Sequence, residues 1–411
     1  MYRILRDMEL VKRFVLLALC ASVFVLTGCK KQEIPLTVWV DTGNVDVIKS
    51  RLDEFAKKNS TKCIFKFNII EQNSSKTRNV LFSGHAVLPD VFCFTDGQMK
   101  ELCDKGYLKE LSYNKYKVIA DCGGESASVV QASMTNGKLY AYPELNSDGY
   151  FLYYNKAYFE PSDLNSFERI AEVAASNGKK VSMDLQNSWY LYSFFKAAGL
   201  DIYMNEDGMS NTCNWNSKAG PYTGLDVARA IENLARLPGF ETASNSKFIS
   251  LIERGEIIAG VNGAWNSQRI SELWGDNYAA CKLPCIRIAG DDLQMHSYEG
   301  FKFVGVSSST RYPEWAEKVA EWITNEKSQL MIYENTGECP ANLKAARSSK
   351  VMASPAIRAL SEQSEFSHRQ IVYKSVWKPA KLFGVMLTEN HLSDEELQKE
   401  LDNLVVAISG K

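Results

Sequence analysis

The sequence predicts an α/β protein with at least two lobes, and its length, composition and order of elements support this fold class. The chain has 411 residues, more than the roughly 250–300 at which a single hydrophobic core usually stops growing. Its 45% hydrophobic and 23% charged residues exclude disordered, collagen-like and coiled-coil classes. Short β-rich runs alternate with amphipathic segments, which favours parallel sheets covered by helices on both faces.

The predicted elements follow one another in strand–helix order. Residues 36–40 form an apolar run typical of a buried parallel strand, and a polar turn follows at 41–44. Apolar side chains then recur at spacings near three and four up to residue 58, which predicts an amphipathic helix. Further strands are predicted at residues 63–70, 91–94, 138–142, 150–154, 181–185, 256–262, 278–283 and 301–307. Helices are predicted at residues 74–84, 167–175, 223–237 and 245–254. Another predicted helix ends at residue 102, one begins at residue 189, and helices follow almost continuously from residue 313.

The amino terminus has the pattern of an export signal. Four basic residues precede an apolar run at 14–25, which is shorter than the about 20 residues of a membrane-spanning helix. The run ends in Leu-Thr-Gly-Cys at 26–29, a tetrapeptide that resembles a bacterial lipobox. We expect cleavage before Cys29, lipidation of its thiol, and a chain anchored to the cell membrane that faces the periplasm or the extracellular side. An ordinary signal peptide with a chance cysteine is the alternative.

Charge and cysteine content exclude several classes of partner and site. The formal net charge is −2, and no long basic block points to nucleic acid. No CxxC pair occurs, and the four histidines do not have metal-ligand spacing. We expect no metal and no cofactor. We interpret the cysteines of the mature chain mostly as small buried residues, with one or two disulfides left open.

Four segments carry motifs in a fixed order. They are the strand and helix of residues 36–58, Pro-Asp to Gly-Tyr-Leu at 89–108, Gly-Lys-Leu-Tyr-Ala-Tyr-Pro at 137–143 with Tyr-Tyr-Asn-Lys at 153–156, and the run from Phe248 to Gly-Ala-Trp at 263–265. In this order they resemble the extracellular solute-binding proteins of ABC transporters, in the family-1 group typified by maltose-binding protein.

The resemblance implies a two-lobe periplasmic-binding-protein fold of class II type, with a mostly parallel sheet flanked by helices in each lobe. Two or three crossing segments would form a hinge, and a solute would bind between the lobes and be passed to ABC permease subunits in the membrane. Polar stretches suggest crossings near 146–149, 297–300 and 345. The predicted domains are a signal peptide (1–28), a tether (29–35), lobe 1 (36–146 and 299–345) and lobe 2 (147–298 and 346–411, with the C-terminal helices). A monomer is expected.

A carbohydrate site needs aromatic planes for the sugar faces and short polar side chains for the hydroxyls. Candidates lie just past predicted strand ends and in the crossings, where loops of both lobes converge. In lobe 1 and the crossings they are Asp41, Thr42, Asn44, Phe94, Thr95, Asp96, Asn146, Asp148 and Glu299. The resemblance places sugar contacts near Asp148 and, in lobe 2, at Asn187, Trp189, Trp265 and Trp377.

The sequence leaves the identity of the solute open. Asn187, Phe94 and the pairs at 43–44 and 97–98 depart from the contacts of maltose-binding protein, so we expect a different sugar or oligosaccharide, or another polar solute. A polyamine or a glycerol-phosphate is the first alternative. An exported carbohydrate-active enzyme is the second, although no G-x-S-x-G, H-E-x-x-H, G-x-G-x-x-G or Walker motif occurs. We expect a binding protein and not an enzyme.

Overall fold

The computed structural model describes residues 31–84, 87–146 and 149–410. The predicted signal peptide at 1–28, the lipidated Cys29 and the candidate Asp148 lie outside the described residues. Within the described ranges, no helix combines the length and apolar character that crossing a membrane requires.

Strands and helices alternate along most of the chain. The strands are β1 Gln32–Val40, β2 Cys63–Glu71, β3 Val91–Thr95, β4 Met134–Thr135, β5 Lys138–Leu139, β6 Ala141–Leu145, β7 Tyr150–Asn155, β8 Lys180–Ser182, β9 Ile202–Met204, β10 Asn211–Cys213, β11 Phe240–Glu241, β12 Ile257–Gly263, β13 Tyr278–Cys281, β14 Cys285–Ile288, β15 Asp291–Gln294, β16 Ser297–Glu299, β17 Lys302–Val306 and β18 Ser367–Arg369.

Several helices pack against the faces of the two large sheets, and others pack on neighbouring helices. They are α1 Val45–Lys58, α2 Thr77–Ser83, α3 Met99–Asp104, α4 Lys115–Asp121, α5 Ser128–Ala132, α6 Phe167–Ser176, α7 Ser188–Ala197, α8 Gly224–Ala235, α9 Asn245–Glu253, α10 Ser267–Trp274, α11 Pro313–Ile323, α12 Glu326–Thr336, α13 Leu343–Ala346, α14 Ser349–Met352, α15 Pro355–Gln363, α16 Trp377–Glu389 and α17 Asp394–Ser409. Amphipathic faces such as that of α1, which buries Ile48, Leu52 and Phe55, cover the sheets because this removes apolar surface from water.

Each lobe is built on a five-stranded sheet. The strand order is β2-β1-β3-β17-β6 in lobe 1 and β11-β8-β12-β7-β13 in lobe 2. Four strands of each sheet run in the same direction, while β17 and β7 are antiparallel to both neighbours. These two strands enter their lobe from the other one, so they begin at the edge where the remaining strands end. The predicted two-lobe α/β fold with mostly parallel sheets is confirmed.

Separate hydrophobic cores define the lobes. Buried side chains from residues 34–145 and 301–341 form one core. Buried side chains from residues 150–298 and 376–408 form the second, and a smaller cluster adds helix α15 to lobe 2. Between the cores, β16 of the returning chain pairs in parallel with β18.

The structure corrects the predicted tether at its carboxyl end. Strand β1 begins at Gln32, and residues 32–35 pair in register with β2. Ile34 is fully buried, whereas Gln32, Glu33 and Pro35 are exposed. This segment looked polar because only one of its side chains faces the core, as the two-residue period of a strand requires.

Candidate functional site

A cleft with a volume of about 520 Å³ lies between the two lobes. Lobe 1 lines it with the end of β3 and the beginning of α2, and lobe 2 lines it with loops that follow β8, β11 and β12 and with segment 370–377. The volume falls within the roughly 300–1,000 Å³ that small-molecule sites occupy. Strand ends of both lobes therefore meet at a space that can enclose a small solute.

The lobe-2 wall of the cleft is aromatic. Trp189 lies in the first turn of α7, Trp265 follows β12, and Trp377 begins α16. The ring centroids of Trp189 and Trp265 are 5.8 Å apart at an interplanar angle of 37°, and those of Trp189 and Tyr190 are 5.3 Å apart. The three tryptophans are half-buried and Tyr190 is buried, and together they form adjoining planes against which an apolar ligand face can pack.

A glycine fixes the position of the Trp265 indole. A Cβ atom at Gly263 would meet the indole ring at 2.0 Å, so the indole lies directly over the backbone of this residue. On its edge, Trp265 Nε1 donates a hydrogen bond to Asn245 Oδ1 at 3.2 Å. Asn266 Nδ2 donates to the same oxygen at 2.6 Å and to Asn262 Oδ1 at 2.9 Å. Lobe 2 thus presents a positioned aromatic plane with an amide network beside it.

The lobe-1 wall is polar and is organised by Gln98. This buried side chain donates to the carbonyl of Ser74 at 2.7 Å and to Thr95 Oγ1 at 2.8 Å. It also accepts a hydrogen bond from the backbone N–H of Arg78 at 2.7 Å. Gln98 therefore ties the end of β3 to the start of α2, and the short polar side chains on these elements face the cleft.

Five predicted residues line the cleft: Thr95, Asn187, Trp189, Trp265 and Trp377. Asn187 also caps α7, since its Oδ1 accepts from the backbone N–H of Trp189 at 3.1 Å. The structure brings these residues together from four separate parts of the sequence, and their contact with a ligand stays a prediction.

Phe94, Asn44 and Thr42 do not line the cleft, and the prediction for Phe94 is wrong. The Phe94 side chain is fully buried in the lobe-1 core, because β3 is the middle strand of its sheet and both of its faces are covered. Asn44 is 2% exposed, and its Oδ1 accepts a hydrogen bond from Asn335 Nδ2 at 3.2 Å. Thr42 is exposed in the turn after β1.

Asn146, Asp96 and Glu299 lie in the crossing region and not in the cleft lining. The backbone N–H of Asn146 donates to the carbonyl of Cys339 at 2.8 Å, and that of Asp96 donates to the carbonyl of Phe301 at 3.0 Å. Glu299 pairs in register with Arg369 between β16 and β18, where burial raises its pKa. These residues hold the connections between the lobes.

Asp41 takes part in a buried ion cluster inside lobe 1, which corrects its assignment to the cleft. Its carboxylate lies 2.9 Å from the ammonium of Lys302, and Glu338 lies 2.5 Å from the same ammonium. Burial opposes ionisation of Asp41, but Lys302 and the backbone N–H of Ser74 hold its pKa below the usual value. Burial and the charge of Asp41 raise the pKa of the adjacent Glu144 to about 8.

The stability of the protein is therefore expected to fall with rising pH through Glu144. Unfolded Glu144 releases its proton near its ordinary pKa of 4.5, whereas the folded protein retains it to about pH 8. The folded state binds more protons between these values, so the free energy of unfolding decreases as the pH rises between them. Glu144→Gln is expected to remove this part of the slope in urea unfolding, and the exposed Glu365→Gln to keep it. An unchanged slope in Glu144→Gln would contradict the assignment.

Several cleft residues were not predicted from the sequence. Arg78 and Asn79 lie in a segment predicted as an ordinary polar helix, and Lys374 lies in a region predicted as helical. Asp184 and Asn245 follow strands β8 and β11, and the same search of strand ends could have found them. Among the described residues, no group of three or more His, Cys, Asp or Glu side chains could hold a metal ion, and the eight described cysteines are free.

Comparison with known proteins identifies the family. The model of the bacterial extracellular solute-binding protein family matches residues 50–359. The galactooligosaccharide-binding protein of Bacillus subtilis is 27% identical to this chain over 91% of both chains. A maltooligosaccharide ABC transporter solute-binding lipoprotein of Streptococcus pneumoniae is 22% identical over 84% of this chain and 82% of its own.

A solved structure shows the same fold. The maltodextrin-binding protein MalE1 from L. casei BL23, without ligand, superposes with a TM-score of 0.75 at 24% identity and covers 92% of this chain and 99% of its own. The family match spans well over half of the sequence and confirms the resemblance drawn from the four motifs. The chain belongs to the bacterial extracellular solute-binding protein family.

Proposed function

We propose that this protein is the receptor of an ABC importer and captures a sugar or oligosaccharide between its lobes. The observation that carries the proposal is the aromatic wall of Trp189, Tyr190, Trp265 and Trp377 in the interlobe cleft. Sugar rings have apolar C–H faces that pack on such planes, while their hydroxyls need amide and hydroxyl partners. The names of the two curated relatives, which refer to oligosaccharides, support the same solute class.

A neighbouring pocket favours an oligosaccharide over a single sugar unit. This pocket has a volume of about 400 Å³ and shares Asp184 with the cleft. Gln186, Ser244 and Thr388 supply polar groups along its wall. A chain of sugar units in the cleft could therefore continue past Asp184 along lobe 2.

The charges of the cleft argue against both alternatives. A polyamine site needs several carboxylates, and a glycosidase needs two that lie roughly 5–10 Å apart. Among the described residues that line the cleft, Asp184 alone carries a carboxylate, whereas Arg78 and Lys374 carry positive charges. This distribution favours a non-catalytic receptor for a solute without positive charge.

We further propose the arrangement of the chain at the membrane. Cleavage before Cys29 and lipidation of its thiol would anchor a monomer outside the cell membrane, beside ABC permease subunits. The Leu-Thr-Gly-Cys sequence at 26–29 and the lipoprotein named among the relatives support this. The division of the buried side chains between two cores, with strand β1 included from Gln32, supports lobe 1 at 32–146 and 299–345 and lobe 2 at 147–298 and 346–411.

Thermal unfolding against a ligand panel tests the proposed function. The chain from residue 30 would be mixed with galacto- and malto-oligosaccharides, spermidine, putrescine and glycerol 3-phosphate. A ligand at 100 times its Kd stabilises the folded state by about 2.7 kcal/mol, and we expect this shift from a neutral oligosaccharide alone. A shift from a polyamine without any shift from a sugar would overturn the proposal, as would turnover of a glycoside.

A further inference from the structure

One carboxylate at the mouth of the cleft contacts cations of both lobes. Glu101 lies on α3 of lobe 1, and its Oε2 is 2.8 Å from Nη1 of Arg78 in the same lobe. Its Oε1 accepts a hydrogen bond from Nζ of Lys374, in lobe 2, at 3.2 Å. Both cations line the cleft, whereas Glu101 contacts them without lining it. The charge of Glu101 is thus shared between the two walls of the binding site.

In the environment of Glu101, these two cations are the main groups that compensate its negative charge. Its side chain is 25% exposed, against 18% for Arg78 and 50% for Lys374. Glu101 Oε2 is shielded from water and accepts no aligned hydrogen bond, so its contact with Arg78 is a charge contact. A carboxylate in such a site is costly without nearby positive charge.

The contact of Glu101 with Lys374 joins the two lobes in this structure. Two further points of the same lobe-1 segment approach lobe 2. A Cβ atom at Gly97 would lie 3.4 Å from Gln370 Nε2, and one at Gly208 would lie 2.7 Å from Cε of Lys100. Hinge opening separates such contacts, so an open cleft would expose Lys374 without its carboxylate partner.

We propose that Glu101 is a specificity-determining residue that balances Arg78 and Lys374 when the lobes close, so that the closed cleft selects an uncharged sugar over an acidic one. The inference rests on the proposed function and narrows its solute class. With Asp184 included, two cations and two carboxylates surround the closed cleft. A carboxylate on the ligand would therefore upset a balance that the protein already satisfies.

Two charge variants, Glu101→Gln and Lys374→Gln, are expected to change the preference for acidic over neutral sugars in opposite directions. The test therefore depends on the sign of the charge that is removed. In Glu101→Gln, two cations face the ligand without their partner, so the affinity for acidic sugars rises. The affinity for neutral sugars falls, because the contact between Glu101 and Lys374 that favours closure is lost. In Lys374→Gln, the net charge around the cleft is more negative than in the wild type, so the affinity for acidic sugars falls further. Salt is expected to reduce both changes, because these side chains are partly exposed to solvent.

Titration calorimetry with paired probes measures the effect. The probes are galactotriose and maltotriose, each with its counterpart oxidised at C6 to a carboxylate, and the readout is the ratio of the acidic to the neutral Kd. We expect Glu101→Gln to lower this ratio about tenfold and Lys374→Gln to raise it. The matched control is Glu253→Gln, which removes a carboxylate that pairs with Arg269 at 2.5 Å on the outer surface of lobe 2, and we expect it to leave the ratio unchanged.

The outcomes separate this inference from the proposed function. If the wild-type receptor binds neutral sugar and the Kd ratio changes by less than twofold in both cleft variants, the role of Glu101 is overturned and the proposed function stands. A wild-type receptor that binds neither sugar overturns the proposed function and the selectivity with it. Should Glu101→Gln fail to fold, the Kd ratio of Lys374→Gln tests the inference. This variant is expected to fold, because the Lys374 side chain is half exposed and its loss leaves the core intact.

Discussion

Replacing Trp265 with alanine is expected to weaken oligosaccharide binding by about 2 kcal/mol or more, which is roughly a 30-fold increase in Kd. The indole lies over Gly263 and contacts Trp189, so it extends the aromatic wall formed by Trp189 and Tyr190. Its removal takes away a sugar-stacking plane and opens a gap next to Trp189. Titration calorimetry with the sugar that stabilises the wild-type protein in the thermal panel would measure the loss.

A conservative variant separates stacking from general damage. Trp265→Phe keeps an aromatic plane at the same place, so we expect it to retain more affinity than the alanine variant. Both variants should unfold near the wild-type temperature without ligand, because the Trp265 side chain is only partly buried at the cleft surface. Wild-type affinity in Trp265→Ala would show that this residue does not belong to the binding site.

Replacing Lys302 with methionine is expected to lower the free energy of unfolding by about 3–5 kcal/mol near neutral pH. The substitution removes the ammonium that contacts Asp41 and Glu338 and leaves both buried carboxylates without this counter-charge. Lys302 also holds the pKa of Asp41 down, so its loss lets Asp41 take up a proton more easily. The deficit in urea unfolding should therefore shrink as the pH falls, since protonation relieves the unpaired charge.

A surface lysine provides the matched control for Lys302. Lys344→Met breaks an exposed ion pair with Glu326 and is expected to change stability by no more than about 0.5 kcal/mol. A Lys302→Met protein as stable as the Lys344→Met protein, with the same pH dependence, would show that the buried cluster does not stabilise lobe 1.

Much of the fold could be predicted because it depends on local patterns. The periodicity over residues 36–58 predicted helix α1 and the carboxyl end of strand β1, although β1 begins four residues earlier than predicted. The family resemblance, together with the position of ligand sites at strand ends, led to Trp189 and Trp265, which follow β8 and β12. The two-lobe arrangement followed from chain length together with the order of motifs.

The remainder depends on contacts that local patterns do not encode. Asp41 follows a strand as a ligand residue would, but its partner Lys302 lies far along the chain on the strand that returns from lobe 2. Phe94 ends the predicted strand, yet β3 is the middle strand of its sheet and both of its faces are buried in the core. Lys374 reaches the cleft because β18 and an irregular segment interrupt the predicted helices. Such placements follow from tertiary packing and not from the spacing of residues.

A crystal structure of the receptor with the most stabilising oligosaccharide of the panel tests the central claim most directly. We predict sugar rings in the cleft, with their C–H faces about 4 Å from the indoles of Trp189, Trp265 and Trp377, and with Glu101 still paired to Lys374. A sugar bound outside the cleft, or a cleft that stays empty at a saturating sugar concentration, would contradict the account.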